Sequence, residues 1–100
     1  NDIAYNDNSD IEDMVNPNIE IVGNEVIYLG DTVEYKLPMA NAWEIEYGQD
    51  ALKIVSNKRG KCKVKCEPDS KYIGETVKLM ALDKSGNIMA EFIIRIGGMF

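Results

Sequence analysis

From Asn18 onward the chain is interrupted by turn residues at short intervals, which leaves brief extended segments as the main thing it can fold into. The breaks fall at Gly23-Asn24, Gly30-Asp31, Pro38, Gly48-Gln49-Asp50, 57–60, Pro68-Asp69-Ser70 and Lys84-Ser85-Gly86-Asn87. Between them lie eight runs of strand character, at 19–22, 25–29, 32–37, 42–47, 51–55, 61–66, 76–83 and 88–96. Short strands recurring at this spacing predict an all-β sandwich or barrel. The 100 residues suffice for one such domain and no more.

Register within the last hairpin follows from the side chains themselves. With residues 84–87 as the turn, Ala81 faces Ala90, Leu79 faces Phe92 and Val77 faces Ile94, so every inward pair is apolar. A slip by one residue would set Glu91 and Arg95 in the core, which the cost of burying charge forbids. The same alternation turns Val33, Tyr35 and Leu37 inward, with Glu34 and Lys36 outward. It also turns Trp43, Ile45 and Tyr47 inward, with Glu44 and Glu46 outward. Trp43, the single tryptophan, supplies the largest buried area and is expected to anchor the space between two sheets.

The absence of histidine from the sequence removes Ser/His/Asp and Cys/His triads and histidine zinc ligands together. Glu44 and Glu46 share a strand face about 7 Å apart, within reach of an inverting glycosidase pair, but no pocket-forming segment accompanies them. No catalytic, cofactor or metal residues are therefore assigned. Cys62 and Cys66 sit four residues apart on one alternating run, which separates their Cα atoms by about 13 Å, too far for a disulfide. They read as two buried thiols, the alternative being a redox or metal pair that lacks further ligands.

Net charge is −6, and its distribution divides the chain. Asp2, Asp7, Asp10, Glu12 and Asp13 precede any basic residue, whereas eleven basic and twelve acidic residues follow Ile19. Residues 1–18, rich in Asn and Asp and without periodicity, read as a disordered acidic linker or arm, and residues 19–100 as the folded domain. Residues 7–13 have a likeness to a calcium loop but lack its glycine and its closing glutamate, so calcium and plain solvation both stay open. No run has the length of a membrane helix, and the N-terminus lacks the basic-then-apolar pattern of a signal peptide; beginning at Asn1, the chain reads as an excised domain or a processed product, so a targeting signal could have stood upstream.

Two surface constellations stand out. Lys58, Arg59, Lys61, Lys63 and Lys65 place five positive charges within eight residues. They form either a patch for an anionic polymer or a solubilising sheet face with Glu34 and Glu44 across from it. No aromatic residue interleaves the lysines, which argues against stacking of single-stranded nucleic acid. On the outer face of the last hairpin, Met80, Leu82, Met89 and Ile93 form a candidate interface, unless another part of the chain folds over them.

Several short motifs occur in order: Gly30-Asp31-Thr32 ahead of an alternating strand, Trp43 on the next strand, Ala51-Leu52-Lys53-Ile54-Val55, and Gly60 opening a strand. Gly74-Glu75-Thr76-Val77-Lys78-Leu79 follows, and then the turn from Asp83 to Asn87 before a final apolar strand. Over residues 19–96 the chain thus resembles a bacterial immunoglobulin-like domain of the Big group 2 type. It departs from that pattern in Tyr47-Gly48-Gln49-Asp50, where a Ser-Ser-Asp-like turn is usual, and in the lysine- and cysteine-bearing strand after Gly60. The resemblance implies an immunoglobulin-like two-sheet sandwich of about seven to eight antiparallel strands. It also implies a non-enzymatic structural or adhesive role, of the kind found in bacterial surface proteins and on tailed-phage virion proteins. Two free cysteines suit assembly in a reducing bacterial cytoplasm. The leading expectation is therefore a C-terminal appendage of a phage tail or head protein, located in the virion, with other virion proteins or further copies of itself as partners. The alternative is an adhesion domain on the bacterial cell surface that binds anionic envelope polysaccharide or a host protein. Neither reading includes nucleic acid binding, membrane insertion or a cofactor.

Overall fold

The computed structural model describes residues 19–48 and 50–98. The acidic arm expected at 1–18, with its calcium-like segment, lies outside the described residues.

The described residues form seven strands: β1 (Val26–Tyr28), β2 (Thr32–Lys36), β3 (Ala42–Glu46), β4 (Leu52–Lys58), β5 (Lys61–Cys66), β6 (Thr76–Leu82) and β7 (Ile88–Gly97). A single 3-10 turn at Ser70–Tyr72 joins β5 to β6, with the Asp69 carboxylate accepting from the Lys71 N–H. The strands divide into a four-stranded sheet, β1-β7-β6-β3, and a three-stranded sheet, β2-β5-β4. With β2 as the second strand of an immunoglobulin domain, these orders are A-G-F-C and B-E-D, so the molecule is an immunoglobulin-like sandwich.

The expected run at 19–22 contributes only one antiparallel bridge, Val22 to Lys36, on the free edge of β2. The chain then crosses to the other sheet, where β1 pairs with β7 in parallel. This is the one departure from the antiparallel pairing expected throughout. Its cause is the crossing itself, which carries the chain from the edge of β2 to the edge of β7 without reversing it. Gly23 permits the crossing because a side chain there would strike the buried ring of Tyr35, whose hydroxyl donates to the Asn24 carbonyl at 2.8 Å.

The core lies between the sheets and includes Ile27, Tyr35, Leu37, Trp43, Leu52, Cys62, Val64, Cys66, Val77, Leu79, Ile94 and Ile96, all buried. The last hairpin adopts the predicted register, with Ala81, Leu79 and Val77 opposite Ala90, Phe92 and Ile94. Its turn is held by Asp83, whose Oδ1 accepts from the N–H groups of Ser85 and Asn87, each at 2.9 Å. These bonds, the one from Asn87 first, hold the Asp83 carboxyl below its ordinary range. A bulge between Ala81 and Leu82 brings Ile88 rather than Met89 opposite Leu82.

Trp43 is the expected anchor: it is buried, and its indole N–H donates to the Lys58 carbonyl at 2.9 Å, tying β3 to β4 across the sandwich. Tyr47 corrects the reading that placed it inward, since it is 63% exposed. β3 has ended at Glu46, and Tyr47 takes the left-handed conformation at φ 66°, so the alternation no longer holds there. Gly48 follows at φ 76°, and a Cβ on it would come within 2.5 Å of Val77.

A lysine lattice as candidate binding face

β5 is the central strand of the three-stranded sheet, and its alternation is complete. Cys62, Val64 and Cys66 are buried, while Lys61, Lys63 and Lys65 are exposed on the outer face. Neither cysteine is bonded to the other, and both are buried. Burial, with a smaller push from the Glu34 charge, raises the Cys62 thiol to about 12. Burial likewise raises Cys66, against a backbone hydrogen bond involving Gly30 that lowers it. A thiol held protonated is a poor nucleophile and a poor metal ligand. Among the described residues, no group of three or more Cys, Asp or Glu side chains is arranged to hold a metal ion.

Pairing on both sides of β5 sets the rest of the face. Lys61 lies between Lys36 of β2 and Lys58 of β4, Lys63 between Glu34 and Ser56, and Lys65 between Thr32 and Lys53. Six of these nine outward positions are lysine and one is glutamate. Neighbouring strands run about 4.8 Å apart and same-face residues recur about every 7 Å, so the cations form a lattice rather than a cluster. Arg59, exposed in the β4–β5 turn, adds a charge at the end occupied by Lys58 and Lys61.

The lattice depends on one irregularity. β4 carries a bulge between Ile54 and Ser56 that leaves Val55 without a partner, 56% exposed. Lys53 already faces outward opposite Lys65, and the extra residue resets the alternation so that Ser56 and Lys58 face outward too. Without it, Lys58 would point to the core. The same reset aims Asn57 at β3, where its Oδ1 accepts from the Trp43 N–H at 3.2 Å and its amide donates to the Trp43 carbonyl at 3.0 Å.

Only part of this charge is neutralised internally. Lys61 meets Glu34 at 3.6 Å and Lys53 meets Glu67 at 3.9 Å, both as exposed pairs of small energetic weight. Among the described residues, no carboxylate forms an ion pair with Lys36, Lys58, Lys63 or Lys65. Glu34 therefore lies across from the lysines as expected, but Glu44 does not: it is on β3 of the other sheet, opposite Met80.

The five basic residues singled out from the sequence are thus together on one side of the molecule, and Lys36 and Lys53 join them. The candidate apolar interface does not come together as expected. Met80 and Leu82 are buried, at 7% and 8% exposure, and Met89 is half-buried, which leaves Ile93 exposed with Ile88 at the far end of the same face. β6 is an interior strand with partners on both sides, and Met80 sits between Glu44 and Glu91, so its outward side chains have little free surface.

Comparison of the chain with protein-family models, with curated proteins and with solved structures gives no match.

Proposed function

We propose that the chain is a non-enzymatic immunoglobulin-like module that serves as a structural and display unit, carried as an appendage of a phage tail or head protein. The observation that carries this reading is the use the fold makes of its reactive side chains. Both thiols and the phenol of Tyr35 are enclosed in the core, the phenol raised well above its ordinary range by burial and then by Cys62. The side chains left outside are mainly lysines, carboxylates and scattered apolar groups. Such a molecule presents a face and performs no chemistry on what it meets. The motifs that resemble Big group 2 domains support the same role, as do cysteines kept as thiols, which suit assembly in a cytoplasm.

The lysine lattice favours a second reading, an adhesion domain on a bacterial surface. Immunogold labelling with antibodies to the purified chain separates the two. Label on density-banded particles supports the virion role, and label on intact cells supports the adhesin. Label on neither overturns both.

A further inference from the structure

We infer that the outer face of the three-stranded sheet is a binding site for an unbranched phosphodiester polymer that carries no bases, of the polyol-phosphate type. The inference holds whichever particle or surface carries the domain. Six of nine adjoining lattice positions are lysine and one is glutamate, in a chain whose net charge is −6. A net-acidic molecule has no general attraction for a polyanion, so any such binding must come from this face.

Like charges directly across from each other destabilise a sheet. The lattice nonetheless sets Lys36 and Lys58 on either side of Lys61, and Lys53 beside Lys65. An anion bridging these rows would offset that repulsion, which Glu34, across from Lys63 and paired with Lys61, and Glu67, paired with Lys53, relieve only in part.

The type of polyanion follows from what the lattice contains. Lys61, Lys63 and Lys65 recur at about 7 Å along one strand, a repeat similar to that of phosphates joined through a short polyol. All six cations are lysines, compact point charges without the fixed fork with which arginine grips one planar carboxylate or phosphate. They suit a flexible chain whose charges settle where they can. The other lattice positions are Glu34, Ser56 and Thr32, so no ring is available for a base to stack on, which disfavours single-stranded nucleic acid. The face is a sheet rather than a cleft, and it fits a linear polymer lying along β5.

The test uses the full chain and immobilised poly(glycerol phosphate), with affinity measured from about 20 to 200 mM salt and poly(dT) and poly-glutamate as competitors. The expected result is binding that weakens steeply with salt. Replacing Lys61, Lys63 and Lys65 together by Gln is expected to weaken it by at least about tenfold at low salt and to flatten the log–log salt slope by about 2, at roughly 0.7 for each phosphate no longer neutralised. Lys84→Gln, in the exposed turn of the other sheet, is expected to leave both unchanged. Failure to bind at 20 mM salt would overturn the inference, as would a triple variant that binds like the parent. Preferential competition by poly(dT) would assign the face to nucleic acid, and preferential competition by poly-glutamate to an acidic protein; either also overturns it.

Discussion

The two outer faces of this sandwich use lysine in opposite ways. On the four-stranded sheet, Lys78 lies between Glu46 and Ile93, with its amine 3.5 Å from Glu46 and 3.7 Å from Glu91 and over the ring of Tyr47. These carboxylates, Glu91 foremost, raise the Lys78 amine above its ordinary range. On the three-stranded sheet, Lys65 has Lys53 on one side and Thr32 on the other. Lys78 is matched within its own face, whereas Lys65, like Lys36, Lys58 and Lys63, has no carboxylate in ion-pair contact among the described residues. Surface charge in a small domain is therefore not uniform decoration, and cross-strand register decides what each cation does.

Both faces stand on one core, so a change beneath them affects both. Trp43→Ala removes the largest buried side chain and its hydrogen bond to the Lys58 carbonyl, and is expected to cost about 3–5 kcal/mol, enough to unfold much of the population. Urea denaturation followed by circular dichroism measures it. A loss below about 1 kcal/mol would show that Trp43 does not join the sheets.

Alkaline pH strains the core from the side of the lysine face. The Cys62 thiol ionises near its ordinary 9.0 in the unfolded chain and at about 12 in the folded one. Above pH 9 the folded state therefore holds more protons than the unfolded state, and stability falls as pH rises from there toward 12. Cys66 and Tyr35, raised by the same burial, act in the same direction. Melting temperatures are expected to decline steadily above pH 9, and less steeply in Cys62→Ala. An equal slope in that variant would remove Cys62 as a cause.

Asn57 joins the edges of the two sheets. Asn57→Ala leaves the Trp43 N–H and carbonyl without their partner and is expected to cost about 1–3 kcal/mol. Asn57→Asp keeps the acceptor and loses the donor, so its stability should fall between that of Asn57→Ala and that of the parent. If both substitutions prove neutral, the edges are held together by side-chain packing alone.

Local periodicity in the sequence reports some of these placements and not others. The last hairpin was legible because alternation, a Gly-containing turn and the exclusion of Glu91 and Arg95 from the core all point to one register. Lys61, Lys63 and Lys65 were legible for the same local reason. Lys36 and Lys53 were not, because their place beside β5 is set by pairing between distant segments, and no local period reports it. Lys58 was found by its closeness in sequence, yet its outward direction depends on the bulge at Val55, which simple alternation cannot anticipate. Tyr47 was misplaced because the period was extended one residue past the end of β3. Met80 and Leu82 were assigned to the correct face, but their burial depends on β3 and β7 flanking β6. The parallel pairing of β1 was invisible for a similar reason: direction relative to β7 follows from a crossing between sheets, and a strand of three residues carries no signal for it.

One charge reversal made on each face should change stability by a small amount and with opposite sign. Lys78→Glu would place a third carboxylate beside Glu46 and Glu91 and is expected to lower the melting temperature. Lys65→Glu would set a carboxylate directly across from Lys53 in place of a like charge, and is expected to raise stability by about 0.2–1 kcal/mol. Added salt should shrink both changes, since the charges involved are close to solvent. A fall in stability for Lys65→Glu at low salt would mean that the lattice carries no repulsion for an anion to relieve. If the two substitutions instead differ in sign, the lysine face holds charge at a cost to the fold. Lys65→Glu should then also weaken poly(glycerol phosphate) binding in the variant that is the more stable, separating the role of this face from the stability of the domain.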